Sequence, residues 1–141
     1  MFDPIDKDII DLLREDSRIT NIQIAKKIKR SESTVRQRVS KLTDKGIIKK
    51  FSIIVDPIAL GFNTIAYVGI NTNPSRLLKA IKSLKKIEDI ISIATTTGDY
   101  MILCEIWTED GLHLSEVVDK IEEIDGVIEV LPSIIQERHK E

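Results

Sequence analysis

The 141-residue sequence predicts an α+β protein that joins an N-terminal (winged) helix-turn-helix domain to a C-terminal ferredoxin-like βαββαβ domain. The first fifty residues hold three short amphipathic helical patterns, with a tight turn before the last. The second half alternates strand and helix patterns in the order βαββαβ. We place the domains at residues 1–51 and 63–141, joined by a linker strand at 52–62.

Composition limits the class of protein. Hydrophobic residues make up 42% and charged residues 31%, so a packed core and a soluble surface are both possible. No run of 18 apolar residues suggests a membrane span, and the acidic start Met1–Pro4 is unlike a secretory signal. The single cysteine, Cys104, lies in an apolar run and is expected in the core. The cytoplasm is the expected compartment.

The net charge of −2 conceals an asymmetry between the two halves. Residues 1–50 contain 13 Lys/Arg and 8 Asp/Glu, whereas residues 51–141 contain 8 and 15. The excess is sharpest in residues 24–50, where ten basic residues face only Glu32 and Asp44. Such a run is often a solvated helix face, but here it coincides with the helix-turn-helix pattern and favours phosphate binding.

Local signals mark the first two helices. Asp3 can cap a helix that begins at Pro4, where the missing N–H costs nothing. Thr20 and Gln23 have the spacing of a capping box at the start of the second helix. The apolar faces expected to point inward consist of Ile5, Ile9, Leu12 and Leu13 in the first helix and Ile24, Ala25 and Ile28 in the second.

The third helix is predicted to begin after Ser31 and to end at Gly46, in a left-handed position that suits glycine. If Val35, Val39 and Leu42 point inward, the helical period turns five polar side chains outward: Ser33, Arg36, Gln37, Ser40 and Lys41. A three-helix packing domain without DNA would also fit the helices. The basic and amide character of the outward face favours a recognition helix in the major groove.

Residues near this helix form the candidate DNA-binding set. We expect base contacts from Ser33, Arg36, Gln37 and Lys41, and phosphate contacts from the flanking Arg30, Arg38, Lys45 and Lys49. Arg38 lies near the core boundary, so support of the fold is an alternative role for it. The candidate set comprises Ser31, Ser33, Thr34, Arg36, Gln37, Arg38, Ser40, Lys41 and Lys45.

The second half is predicted element by element. Ile48–Val55 is rich in β-branched residues and is predicted as a strand ended by Asp56-Pro57. Further strands are expected at Thr64–Thr72, Ile90–Thr97, Tyr100–Thr108 and Val127–Gln136, the last an edge strand or bulge because it contains Pro132. One helix follows Asn73-Pro74 with Leu77, Leu78, Ile81 and Leu84 inside, and another follows Asp110 with Leu114, Val117, Val118, Ile121 and Ile124 inside.

The strands are apolar on both faces, as Tyr100–Cys104 illustrates, although two helices can cover only one face of the sheet. A bare apolar face needs a partner, so we expect a homodimer that packs sheet against sheet. Such a dimer has the two-fold symmetry of a palindromic DNA site.

Short motifs occur in a characteristic order along the chain. They include Asp6–Ile10, Asp16–Ile19, Ile24–Ile28, Ser31–Val35, Arg38–Leu42, Lys45–Lys49, Asp56-Pro57, Leu60-Gly61, Thr97–Tyr100 and Asp125–Val127. In order and spacing the sequence resembles the leucine-responsive regulatory protein (Lrp/AsnC, feast/famine) family over nearly its whole length. The resemblance implies a DNA-binding transcription regulator whose dimers assemble further, commonly to octamers.

The resemblance also implies an effector site for amino acids or related metabolites, in the turn between the second and third strands of the C-terminal domain. That turn comprises Thr96, Thr97, Gly98, Asp99 and Tyr100. Its N–H groups and hydroxyls suit a carboxylate, and Asp99 suits an ammonium group, although Gly98-Asp99 is equally typical of a plain hairpin turn. Met101 stands where the family usually has an acidic residue, which leaves open an ordinary amino acid, another effector or none.

No catalytic or cofactor motif is found. His113 and His139 are far apart and lack ligand partners at metal-binding spacing, so both are expected to be solvated. We therefore expect no enzyme activity, no metal and no cofactor. Two rivals remain: a metabolite-sensing module that regulates an enzyme, and a small enzyme on the ferredoxin-like fold. Neither explains the basic excess in residues 24–50.

Overall fold

The computed structural model describes residues 2–141, which form two compact units, Met1–Val55 and Asp56–Glu141. The first unit contains three helices: α1 (Pro4–Glu15), α2 (Asn21–Ile28) and α3 (Glu32–Asp44). None of the helices in the described residues is long and apolar enough to cross a membrane.

Side-chain caps begin all three helices of the first unit, as the sequence predicts. The Asp3 carboxylate accepts from the Ile5 N–H, and Thr20 and Gln23 form the reciprocal bonds of a capping box. Ser31 accepts from the Thr34 N–H at the start of α3. The three helices share one core, built on the buried Ile9, Ile24, Ala25 and Val35.

The two ends of the turn-flanking helices differ in chemistry. Lys29, between α2 and α3, has a φ of 57°, a left-handed conformation that a side chain disfavours. Gly46, after α3, has a φ of 72°, and the Leu42 carbonyl accepts from the Ile47 N–H at 2.9 Å. The Gly46 N–H donates to the Thr43 carbonyl, so the predicted Schellman ending of α3 is present.

The second unit is a four-stranded antiparallel sheet covered by helices. Its elements are β1 (Thr64–Thr72), a 3-10 turn (Pro74–Arg76), α4 (Leu77–Leu84), β2 (Ile90–Thr95), β3 (Ile102–Thr108), α5 (Gly111–Glu122) and β4 (Val127–Ile134). The strand order is β2-β3-β1-β4, which is the ferredoxin-like arrangement that the sequence predicts. Both helices contribute to one core with β1 and β3.

That core lies on the helix-covered face of the sheet. Val68, Ile70, Ile102, Cys104 and Ile106 are fully buried there, against residues of α4 and α5. Burial raises the pKa of the Cys104 thiol to about 11, so the cysteine is an apolar core residue rather than a reactive one.

Two predictions in the second half are wrong. Leu78 was expected inside α4 but is 81% exposed, and Ala80 is buried instead. Ile48–Val55 was expected to be a strand, but in the described structure it belongs to no sheet. Its β-branched residues favour extended backbone, yet a strand also needs a neighbour for its N–H and C=O groups.

The expected bare apolar sheet face is also only partly present. On the face opposite the helices, Tyr67 and Leu131 are about two-fifths exposed and Leu103 is half-buried. Glu105 lies among them and forms an ion pair with Arg138 at 2.6 Å. Arg138 also donates to the Tyr67 hydroxyl and lies 6.0 Å from the centre of its ring. The last residues of the chain therefore bring charge to this face.

Candidate DNA-binding interface

The outer face of α3 presents polar side chains to solvent. Val35 and Leu42 are buried and fix the orientation of the helix about its axis. Five side chains are consequently exposed on the other side: Ser33, Arg36, Gln37, Ser40 and Lys41. A helix held in this way, with one solvent face and capped ends, can enter a major groove without rearrangement of the core.

The exposed side chains are not all free. Arg36 forms an ion pair with Glu32, one turn earlier on the same helix. Within the described residues, the Gln37 and Lys41 side chains have no hydrogen-bond or ion-pair partner. Arg36 would exchange a solvated surface ion pair for a base or phosphate contact, and such pairs contribute little to stability.

Hydroxyl groups cluster at the start of α3. The Ser31 Oγ lies 2.8 Å from the Thr34 Oγ1 and 3.2 Å from the Ser33 Oγ. The first helical N–H groups and the positive end of the helix dipole lie at the same place, which suits a phosphate. Ser31 and Thr34 thus serve the cap and flank an anion-binding helix end.

Arg38 has a structural role that the sequence left open. Its guanidinium donates to the Asp3 carboxylate at 2.9 Å and to the Asp6 carboxylate at 3.2 Å, which ties α3 to the start of α1. The Arg38 guanidinium holds the pKa of Asp3 below its ordinary value, and both carboxylates raise the pKa of Arg38. These contacts correspond to the supporting role, while a phosphate contact from Arg38 stays a prediction.

Three further basic side chains flank α3. Arg30 precedes its cap, Lys45 follows its last turn, and Lys49 lies beyond Gly46; all three are exposed. None pairs with a carboxylate in the part of the chain that the structure describes. Free cations on both sides of a recognition helix are typical of phosphate contacts.

The candidate effector turn lies between β2 and β3. The Thr96 hydroxyl donates to the Tyr100 carbonyl at 2.8 Å, and Gly98 has a φ of 108°, which favours glycine. Thr97, Gly98 and Asp99 are exposed at its tip. Met101 packs against the sheet core, with its sulfur 3.9 Å from the Thr72 hydroxyl, and offers no charge to a ligand.

Two residues of β1 hold this turn and were missed by the sequence analysis. The Asn71 side chain donates to the Asp99 carbonyl and accepts from the Met101 N–H, both at 3.0 Å. The Tyr100 ring lies directly over Gly69, where a Cβ would meet ring carbon Cδ1 at 2.5 Å. Nothing local marks either residue, because their contacts span about thirty positions of sequence.

His113 differs from the solvated histidine that the sequence predicts. Its Nε2 lies 3.1 Å from the Asp89 carboxylate, and its Nδ1 accepts from the Glu109 N–H. Among the described residues, no group of three or more His, Cys, Asp or Glu side chains could hold a metal ion.

The sequence and the fold both have known relatives. Residues 2–49 match the model of winged helix-turn-helix DNA-binding domains, and residues 65–141 match the Lrp/AsnC ligand binding domain. The chain belongs to the Lrp/AsnC family. It is 39% identical to the HTH-type transcriptional regulator LrpA of Pyrococcus horikoshii, over 99% of this chain and 100% of the relative. It is 33% identical to the regulator FL11 of Pyrococcus furiosus, over 100% and 93%.

A solved structure gives the same answer for the fold. Escherichia coli AsnC superposes with a TM-score of 0.88 at 25% identity, over 100% of this chain and 96% of AsnC. This Lrp/AsnC protein is accordingly a DNA-binding transcription regulator with a helix-turn-helix domain and a ligand-binding-type domain.

Proposed function

We propose that this Lrp/AsnC protein binds a near-palindromic duplex as a homodimer, with two α3 helices in successive major grooves about one helical turn apart. The observation that carries the proposal is the orientation of α3. Burial of Val35 and Leu42 turns unpaired Gln37 and Lys41 outward together. A helix bearing amide and basic groups on one exposed face has the donors and acceptors that base edges require.

Roles within the helix follow from position and partner. Ser33, Arg36, Gln37 and Lys41 would read base edges, and Ser40 would contact the groove wall from the same exposed face. Lys45 at the far end and the cluster of Ser31 and Thr34 at the near end would bind phosphates on either side. Arg38 would keep α3 in register through Asp3 and Asp6, and would reach a phosphate only by leaving them.

The dimer would form through the sheet face opposite the helices. Tyr67, Leu103 and Leu131 leave apolar surface there, which favours a cover. The Glu105–Arg138 pair would become buried between the copies, where its hydrogen bonds limit the cost of desolvation. We propose residues 52–62 as the linker in such a dimer, and further assembly, up to an octamer, as a second step.

The effector would bind at the Thr96–Tyr100 turn. Exposed Thr97, Gly98 and Asp99 offer hydroxyl, N–H and carboxylate groups of the kinds that a zwitterion needs. Because Met101 supplies no charge, Asp99 would be the sole acidic contact to an ammonium group within this turn. A ligand would alter assembly only if it binds one state more tightly than the other.

Selection of DNA from a randomised duplex pool, at two salt concentrations, tests the DNA-binding proposal. We expect enrichment of a near-palindrome with half-sites one turn apart, and much weaker retention at the higher salt. A protein that enriches nothing and is insensitive to salt would instead act as a metabolite-sensing module. The effector proposal is tested separately, by calorimetric titration of the wild type and of Asp99→Asn with each amino acid.

Regulation without catalysis is the proposed activity, with neither metal nor cofactor required. The ordinary environment of the conspicuous titratable groups supports it: Cys104 is a buried thiol of raised pKa, and His113 is held between Asp89 and a backbone N–H. Turnover of an amino acid or related metabolite, in the titrations just described, would contradict this part of the proposal.

A further inference from the structure

The outer surface of the helix layer in the second unit carries two helices of opposite charge. Residues 76–86, which include α4, contain five Lys or Arg and no Asp or Glu. Residues 109–125, which include α5, contain seven Asp or Glu against the single Lys120. Because 51–141 as a whole is acidic, the basic stretch is not a product of average composition.

The basic side chains of α4 form an exposed surface with little internal compensation. Ala80 and Leu84 are buried, which turns Lys79, Lys82 and Lys86 outward along one side of the helix. These three lysines and Lys85 form no ion pair within the described residues. Like charges three and four residues apart on a helix repel one another, so the stripe weakens the isolated helix.

The acidic surface of α5 has the same design with the opposite sign. Leu114, Val117 and Ile121 are buried, and the exposed positions between them carry carboxylates. These carboxylates, unpaired within the described residues, belong to Glu116, Asp119, Glu122 and Glu123.

The two helices lie on the same face of the sheet but hardly neutralise each other. Their apolar sides meet in one core, and a single ion pair, Arg76 Nε to Asp125 Oδ2 at 3.6 Å, joins their ends in the described structure. One leucine on each helix adds exposed apolar surface: Leu78 is 81% exposed and Leu112 is 71% exposed. Complementary stripes that point outward, each with an exposed leucine, are suited to a partner outside the chain.

We propose that this helix layer binds the helix layer of a second copy of the chain, with α4 of each copy against α5 of the other. A two-fold axis along the helices achieves both contacts at once, since it carries α4 onto the position facing α5. DNA fits the surface less well, because a duplex laid on α4 would be repelled by the neighbouring α5 carboxylates.

The contact would join dimers rather than create them. The proposed sheet-to-sheet dimer uses the opposite face of the same unit, so each dimer would keep two helix layers free for further copies. The inference rests on that proposed dimer only for the size of the assembly, not for the contact itself.

Charge reversal in the full-length protein, measured by sedimentation velocity, tests the contact. We expect the wild type to form assemblies larger than a dimer at low salt and to shift toward dimers at 1 M salt, where the screening length falls to about 3 Å. Lys79→Glu with Lys82→Glu, or Asp119→Lys with Glu122→Lys, should each raise the dissociation constant of the larger assembly by ~10-fold or more. A 1:1 mixture of the two double variants should assemble again, because each supplies the charge that the other lacks.

The control is Lys26→Glu with Lys27→Glu, exposed positions of α2 that change the net charge equally and should leave assembly unaltered. The inference is overturned if the wild type never exceeds a dimer, if the mixture fails to assemble, or if the α4 reversal weakens DNA binding without changing assembly. Monomers in place of dimers among the α4 or α5 variants would instead reject the sheet-to-sheet dimer. Recovery of the mixture also shows that both variants are folded.

Discussion

At the scale of single residues, the recognition helix separates side chains that hold the fold from side chains available to DNA. Arg38 and Arg36 have the same chemistry and lie two positions apart, yet Arg38 joins two carboxylates of α1 whereas Arg36 pairs only within α3. Gln37 between them has no partner in the described residues. Substitutions at these positions should therefore affect different properties.

Replacement of Gln37 by alanine should relax sequence preference. An amide that pairs bidentately with adenine contributes about 1–3 kcal/mol of discrimination, or roughly 5- to 150-fold between the preferred and the altered base. Competition binding with the selected site and its single-base variants measures this ratio. The control is Thr43→Ala, on the same helix, whose hydroxyl donates to the Val39 carbonyl. If Gln37→Ala keeps the full preference at every position, the proposed register of α3 is wrong.

Replacement of Asp3 by asparagine should make the stability of the first unit less dependent on pH. Because the pKa of Asp3 is lowered from 3.8 by Arg38, its carboxylate stabilises the fold above pH 3.8, and this contribution is lost as the pH falls through the lowered pKa. Asparagine preserves the helix cap without the charge. Thermal unfolding should show the wild type more stable at pH 7 and the difference narrowing below pH 3.8. A difference independent of pH would exclude the ion pair as its cause.

At the scale of elements, the sequence predicted what local chemistry controls. Asp3, Thr20, Ser31 and Asp110 cap their helices as expected, because a cap depends on residues two or three positions away. Leu78 was wrong because the helical period leaves the orientation of a two-turn helix uncertain, and the sheet selects Ala80 instead. Contacts distant in sequence, such as Arg38 with Asp3 and Asn71 with the effector turn, leave no local pattern and could not be predicted.

The contact of Gly69 with Tyr100 gives a prediction for the effector turn. Gly69→Ala places a Cβ against Tyr100 ring atoms near the base of the side chain, so the ring and its turn must move, at a cost of about 1–3 kcal/mol in the free energy of unfolding. Chemical denaturation measures the loss. Gly111→Ala is the matched control, since nothing lies within 4 Å of its added Cβ, and it should be neutral or stabilising. Equal stability of Gly69→Ala and the wild type would mean that the ring moves freely.

At the scale of the whole molecule, charge divides the tasks. The chain is acidic overall, with a net charge of −2, but residues 24–50 concentrate ten basic residues around α3. A duplex is therefore attracted to one surface and repelled by much of the second half, which orients the protein as it approaches DNA. Two-fold symmetry then doubles every phosphate contact that a single chain can make.

Replacement of Lys45 by alanine should expose that doubling. Each phosphate contact contributes about −0.9 to the slope of log K against log salt, so the loss of one lysine from both copies of a dimer should make the slope shallower by roughly 2. The affinities for the selected site and for random duplex should fall by similar factors, because a phosphate contact carries no sequence information. Lys140→Ala, at an exposed position near the end of the chain, should leave the slope unchanged. A slope change of roughly 1 would indicate that only one α3 helix of the dimer engages the site, and no change would remove Lys45 from the interface.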